Sequence, residues 1–216
     1  MIQIIPSILV QSEEEFLHCL KGLKQSVEQI QLDIADGEFV PNTTWSNPEI
    51  VKKYIDNISV ELHLMTNDPM KELKRWAALE QINRVLVHYE SVKDFTTTLS
   101  TLHAYGWNVS IVLNPNTPIE VLNPYLKEIT GVMFMGVFPG FQGQEFLHET
   151  LQKIQNFKKL GTSHFTELDG GVNEKTLPKI VKSGVDAICP GSAIFGNKKT
   201  PKENVEKMRE IIEKLT

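Results

Sequence analysis

Eight short apolar runs recur along the chain, at residues 2–10, 29–34, 59–65, 84–89, 109–113, 131–137, 165–168 and 187–190. Each is followed by a stretch with helical periodicity. Eight strands, each followed by a helix, predict a (β/α)8 TIM barrel of the α/β class, with a doubly wound open sheet as the alternative. Several helix starts are written in local chemistry. Ser12-Glu-Glu-Glu15, Thr117-Pro-Ile-Glu120 and Thr200-Pro-Lys-Glu203 fit a capping box, the last two with proline at the first helical position. Asn47-Pro48 and Asp68-Pro69 read as two further starts.

No low-complexity segment, charge block or Pro/Ser-rich linker divides the chain, so one domain over residues 1–216 is expected. With 216 residues and 41% hydrophobic content, the chain can bury a sizeable core. A net charge of −5 argues against nucleic acid as a partner. Cys19 and Cys189 lie far apart without metal-type spacing and read as reduced core thiols of a cytoplasmic protein. The opening MIQIIPSILVQSEEE has no basic lead-in, and Pro6 and Gln11 interrupt its apolar run. No signal peptide is expected there, and no run elsewhere is long enough to span a membrane.

In a barrel of this kind, chemistry sits at the C-terminal ends of the strands. The stretch Gln31-Leu32-Asp33-Ile34-Ala35-Asp36-Gly37 places Gln31, Asp33 and Ala35 on one strand face and Leu32 and Ile34 on the other. Asp33 ends the second strand, His63 the third and Asp169 the seventh, while Ser7 lies near the end of the first. Two aspartates and a histidine at one barrel mouth can form a metal site or an acid/base pair. Each also has a structural reading: Asp33 as a turn cap, His63 as a hydrogen-bonded core histidine, Asp169-Gly170-Gly171 as a tight turn. His88, on the fourth strand, reads as a packing or supporting residue. His18, His103, His148 and His164 read as helix or loop surface, and Trp45, Trp76 and Trp107 as packing.

Glycines carry a second signal. Pro139-Gly-Phe-Gln-Gly143, Asp169-Gly-Gly171 and Pro190-Gly-Ser192 follow the sixth, seventh and eighth strands. Loops after strands seven and eight form the recurrent phosphate site of the barrel, where exposed backbone N–H groups approach anionic oxygens closely. Three such clusters in the last third favour an anionic ligand over ordinary turn glycines.

The segments IIPSIL, DG-FVPN, HLM---P, VLNP-TP, PGF-GQ-F, DGGV and GSAIF occur in an order that resembles the ribulose-phosphate 3-epimerase family essentially from end to end. The resemblance implies a (β/α)8 barrel that interconverts D-ribulose 5-phosphate and D-xylulose 5-phosphate in the pentose phosphate pathway. It also implies a bound divalent metal (zinc, iron, manganese or magnesium) and a homo-oligomer. By resemblance Asp33 and Asp169 are the proton-transfer pair, and Asp33, His63, Asp169 and the residue at position 31 hold the metal. Ser7 and His63 would contact the substrate, and Met65 and Met135 would line the pocket. Gly140, Phe141, Gln142, Gly143, Gly170, Gly171, Gly191 and Ser192 would hold the phosphate end.

The chain also departs from that pattern. Gln31 stands where the family usually has a ligand histidine, and Ala35 where it has a pocket methionine. Gln142 replaces a glycine of the phosphate loop, Phe138 is unusual beside Pro139, and Glu38 replaces a non-ligand histidine. A glutamine carbonyl is a neutral oxygen donor, so the expected site is weakened for zinc or iron and shifted towards manganese or magnesium. Two other readings stay open. One is a non-catalytic or altered-specificity sugar-phosphate-binding barrel that has lost tight metal binding. The other is a decarboxylase of the orotidylate type, against which the absence of a lysine in QLDIADG counts.

Overall fold

The computed structural model describes residues 2–23 and 25–216; Met1, the first residue of the expected domain, and Lys24 lie outside them. Among the described residues nine strands form one sheet, all in parallel pairs: β1 (Gln3–Ile4), β2 (Ser7–Ile8), β3 (Gln29–Ala35), β4 (Ser59–Met65), β5 (Ile82–His88), β6 (Asn108–Leu113), β7 (Gly131–Met135), β8 (Phe165–Asp169) and β9 (Ala187–Cys189). The order runs β1-β9-β8-β7-β6-β5-β4-β3-β2. Its two edge strands are joined only by Ile5 and Pro6, so the sheet closes on itself and the barrel reading holds over the open sheet.

The first apolar run is thus two strands rather than the single one expected over 2–10. Pro6 has no N–H to give the ladder. Around it the backbone bonds both neighbours: Ile5 N–H donates to Ile188 O at 3.0 Å and Ser7 N–H to Pro190 O at 3.1 Å, while Pro6 O accepts from Gln31 N–H at 3.0 Å.

The helices are α1 (Glu13–Leu23), α2 (Pro48–Tyr54), α3 (Pro69–Trp76), α4 (Phe95–Ala104), α5 (Glu149–Lys158), α6 (Leu177–Ser183), α7 (Ser192–Phe195) and α8 (Pro201–Glu213). Asn47 and Asp68 cap α2 and α3, each followed by proline, and Thr200 and Glu203 complete a reciprocal box at α8. At α1 the box is displaced: Ser12 accepts from Glu15 N–H, but Glu15 reaches back to Gln11 N–H instead. The helix expected after β6 is absent. Residues Ile119–Leu122 form only a 3-10 turn: Thr117, whose hydroxyl donates to Glu90, makes no capping bond, and Pro124 follows within two residues.

Alternation along the strands separates two packing regions. Leu32, Ile34, Leu62, Leu64, Val85 and Val87 face outward, into the apolar layer beneath the helices. Ile5, Leu86, Val112, Met133, Met135, Ala187 and Cys189 face inward and fill one side of the barrel. The other side of the interior is polar. Its lower layer holds Gln29, Glu61, Arg84 and Glu167, and Glu61 and Glu167 are fully buried. Arg84 lies 2.7 Å from Glu167 and 3.6 Å from Glu61, while Gln29 donates to Glu61 at 2.6 Å. Burial first, then the charge of Glu167, holds the Glu61 carboxyl well above the usual carboxylate range. Burial raises the Glu167 carboxyl as well, against the pull of Arg84, so Glu167 is the closer partner of the guanidinium and Glu61 the acid pushed towards its neutral form.

That arrangement has a pH signature. The folded chain keeps a proton on Glu61 that the unfolded chain releases above about 4.5, so stability is full below that value and falls as pH rises towards the folded pKa. The loss amounts to about 1.4 kcal/mol per pH unit for a whole proton. Glu61→Gln, neutral at every pH, is expected to flatten this decline between pH 5 and 8, as read from urea midpoints. An unchanged slope would show that Glu61 is ionised in the folded protein.

Candidate active site

The upper polar layer lies at the C-terminal ends of β3, β4 and β8. Parallel register sets Asp33 beside His63, Gln31 beside both Ser7 and Glu61, and Asp169 between Met135 and Cys189. The three residues separated by up to 136 positions in sequence thus become neighbours through strand order alone. His63 Nδ1 lies 3.0 Å from Asp33 Oδ1 and 3.3 Å from Asp169 Oδ2. Ser7 Oγ donates to the other oxygen of Asp33 at 2.6 Å. Gln31, fully buried, donates its amide nitrogen to Asp33 Oδ1 at 2.8 Å and to Asp169 Oδ2 at 2.9 Å.

Electrostatics divides the roles within this cluster. Burial works against a charge on His63, but hydrogen bonds to Asp169 and Asp33, and the charges of both, hold its pKa up at about 9. Its Nδ1–H therefore donates to Asp33. Burial, reinforced by the charge of Asp33, raises Asp169 and outweighs its bonds to His63 and Gln31. Asp169 thus sits in an environment that favours a proton. Behind His63, Nε2 lies 2.9 Å from His88 Nε2. Burial pushes His88 down to about 4, against the pull of Glu90, so it is neutral and accepts the proton of His63 Nε2. His88 is thus the residue that supports His63, a contact its strand-five position alone does not reveal.

Ser7, Asp33, His63, Met65, Met135, Gly140, Phe141, Gln142, Gly143, Asp169, Gly170, Gly171, Gly191 and Ser192 line one cavity at the barrel mouth. Gln31 lies behind it, reaching the cavity only through the aspartates. Leu9, Val137, Pro139, Gln144, Val172 and Cys189 line it too and carry no motif signal except parity: Cys189 shares the inward face that Asp169 occupies on the neighbouring strand. Gly171 needs to be glycine. Its φ is +69° and a Cβ would come within 2.8 Å of Phe146 Cβ. At Gly191 a Cβ would collide with the amide of Gln142, which folds over the loop and donates weakly to Ser7 O at 3.4 Å.

The donor set fits a divalent cation. Asp33, His63 and Asp169 each offer a ligand atom within 4.8 Å of the others. Gln31 Oε1 is buried without a hydrogen-bond partner among the described residues, and turning the amide over would aim it at the same point.

Comparison with known proteins agrees with this geometry. Residues 3–195 match the model of the ribulose-phosphate 3 epimerase family. Ribulose-phosphate 3-epimerase of Bacillus subtilis is 31% identical, over 91% of this chain and 93% of that protein. The protein of the same name from Methanocaldococcus jannaschii is 32% identical, over 97% of this chain and 91% of its own length. Among solved structures, KGPDC from Streptococcus mutans superposes with a TM-score of 0.76 at 12% identity, covering 100% of this chain and 99% of its own. Orotidine 5'-monophosphate decarboxylase from Sulfolobus solfataricus reaches 0.70 at 13% identity, covering 100% and 99%; both likenesses are of fold alone. Among the described residues no helix is long and apolar enough to cross a membrane. By sequence along nearly its whole length, the chain belongs to the ribulose-phosphate 3-epimerase family.

Proposed function

We propose that this chain is a sugar-phosphate 3-epimerase interconverting D-ribulose 5-phosphate and D-xylulose 5-phosphate. One observation carries the reading: Asp33 and Asp169 converge on the same imidazole nitrogen at the floor of a cavity whose rim is the glycine loops. Epimerisation next to a carbonyl needs a base that takes the C3 proton and an acid that returns one to the opposite face. Asp33, held by Ser7 and His63, is the base. The C3–H bond breaks, its electron pair passes into an enediolate, and the proton moves to the Asp33 carboxylate. Asp169, whose burial favours the protonated form, donates its proton to C3 from the other side; in the reverse direction the roles exchange. His63 holds both carboxylates in place and faces the substrate oxygens with them. Met65 and Met135 give the enediolate an apolar wall that excludes water.

Asp33, His63 and Asp169, with Gln31 through its amide oxygen, would hold one divalent cation (zinc, iron, manganese or magnesium). Bound there, such an ion supplies Lewis-acid stabilisation of negative charge on the substrate oxygens. The phosphate end falls to Gly140, Phe141, Gln142, Gly143, Gly170, Gly171, Gly191 and Ser192, through backbone N–H groups and the Ser192 hydroxyl. The assignment is completed as a single-domain, homo-oligomeric, cytoplasmic enzyme of the pentose phosphate pathway. Two buried free thiols and a net negative charge support the compartment and the absence of a nucleic-acid partner.

Asp33→Asn and Asp169→Asn are each expected to lower turnover in a coupled ribulose-to-xylulose 5-phosphate assay by about 10²- to 10⁴-fold. Both should keep the wild-type circular dichroism spectrum. In D2O, Asp169→Asn should still exchange the C3 hydrogen of the epimer that Asp33 faces, without inverting it. Near-wild-type turnover in either variant would remove that residue from the proton-transfer pair.

Ser192→Glu places a carboxylate at the phosphate end and is expected to raise KM by at least ~10-fold, since one wrong charge costs more than one hydrogen bond. An unchanged KM for ribulose 5-phosphate would move the anion site away from the loop after β9.

A further inference from the structure

The nitrogen of Gln31 sits among the atoms that would hold a cation. It lies 2.8 Å from Asp33 Oδ1, 2.9 Å from Asp169 Oδ2 and 3.3 Å from His63 Nδ1. A primary amide has two hydrogens, and the two carboxylates take both. The contact with His63 is then between two donors, a sign that the position is set by the carboxylates and not by the imidazole. Meanwhile Oε1 of the same amide is buried with no partner among the described residues. Leaving a carbonyl unsatisfied is unfavourable, and the orientation is maintained because two hydrogen bonds to the aspartates outweigh it. Turning the amide over would give up both bonds to the aspartates for a single longer contact, its oxygen some 3.3 Å from the Nδ1–H of His63. It would also set a carbonyl oxygen against the oxygens of two carboxyl groups.

We propose that Gln31 is a built-in stand-in for the cation: a positioning residue whose amide nitrogen holds Asp33 and Asp169 together in the metal-free protein, so that metal is dispensable for assembling the site. A divalent ion binds only when that nitrogen leaves and the amide turns its oxygen inward, and this exchange weakens its affinity. A residue with a merely packing role would fill the same space without setting any metal dependence. The proposal rests on reading Asp33 and Asp169 as the reacting pair, but its consequences are measurable without substrate.

The test compares chelator-stripped and zinc-loaded forms of wild type, Gln31→His and Gln31→Met by calorimetric zinc titration and thermal melting. Stripping is expected to leave the wild-type melting temperature unchanged. Gln31→His, with an imidazole and no competing donor pair, should bind zinc at least ~10-fold more tightly than wild type, because even supporting residues at metal sites alter affinity by ~10- to 100-fold. It should also melt lower once stripped. Gln31→Met, of similar length with no donor, should melt several degrees below stripped wild type and recover when zinc is added. Wild type that holds zinc as tightly as Gln31→His and loses stability on stripping would overturn the proposal, and this comparison needs no Met variant that folds. A Gln31→Met protein that matches wild type with and without zinc would overturn it as well. The expected metal and melting results together with no epimerase activity in any form would support the stand-in role while overturning the assigned reaction.

Discussion

Four carboxyl groups stand inside a closed sheet at no more than 7% exposure: Asp33, Glu61, Glu167 and Asp169. An isolated buried carboxylate is far too costly to survive there, so everything around these four is arranged to neutralise or satisfy them. Arg84 supplies one full positive charge from the β5 side, and a retained proton removes one negative charge in the lower layer. In the upper layer the imidazole of His63, the hydroxyl of Ser7 and the amide of Gln31 share the work. The interior is consequently asymmetric, its charged groups carried by β3, β4, β5 and β8 and the apolar fill contributed mostly by β6, β7 and β9.

The two layers are coupled through what lies between them. Cys189 faces inward near both, its Sγ 3.9 Å from Glu61 and its strand paired with Asp169. Burial, then the surrounding carboxylates, keeps its thiol well above the ordinary range, so it is a neutral spacer and not a reactive group. The two layers feel one another: after burial, the charge of Asp169 is among the influences that raise the Glu167 carboxyl below it.

Much of this was legible in sequence because strand parity is a local property. Ser59–Met65 has the expected limits, and Asp33, His63 and Asp169 meet where strand-end logic places them. What local patterns cannot express is the outcome of competition between distant partners. Thr117 has every sign of a helix cap, yet its hydroxyl bonds Glu90, no cap forms, and only a 3-10 turn follows. Ile2 to Val10 reads as one strand, but the missing N–H of Pro6 divides it. Gln31 is identifiable as unusual from its neighbours in QLDIADG. Which of its two amide atoms faces the aspartates depends on a third strand more than a hundred residues away. His88 likewise has no motif of its own and gains its place only by standing behind His63.

The division of the first strand has a further consequence, in the time domain. Gln3 pairs with Ala187 while Ser7 pairs with Gln31, so the two halves of one short segment join the next strand along the chain on one side and the last of the described strands on the other. Until β9 exists, the segment before Pro6 has an open hydrogen-bonding edge and no lateral partner, the kind of edge that invites pairing with another chain. Contacts of such large sequence separation are slow to form because the whole intervening loop must be closed first. The β1 half is therefore a latch: it is made long before β9, the strand that secures it, and it closes the barrel only when that strand arrives.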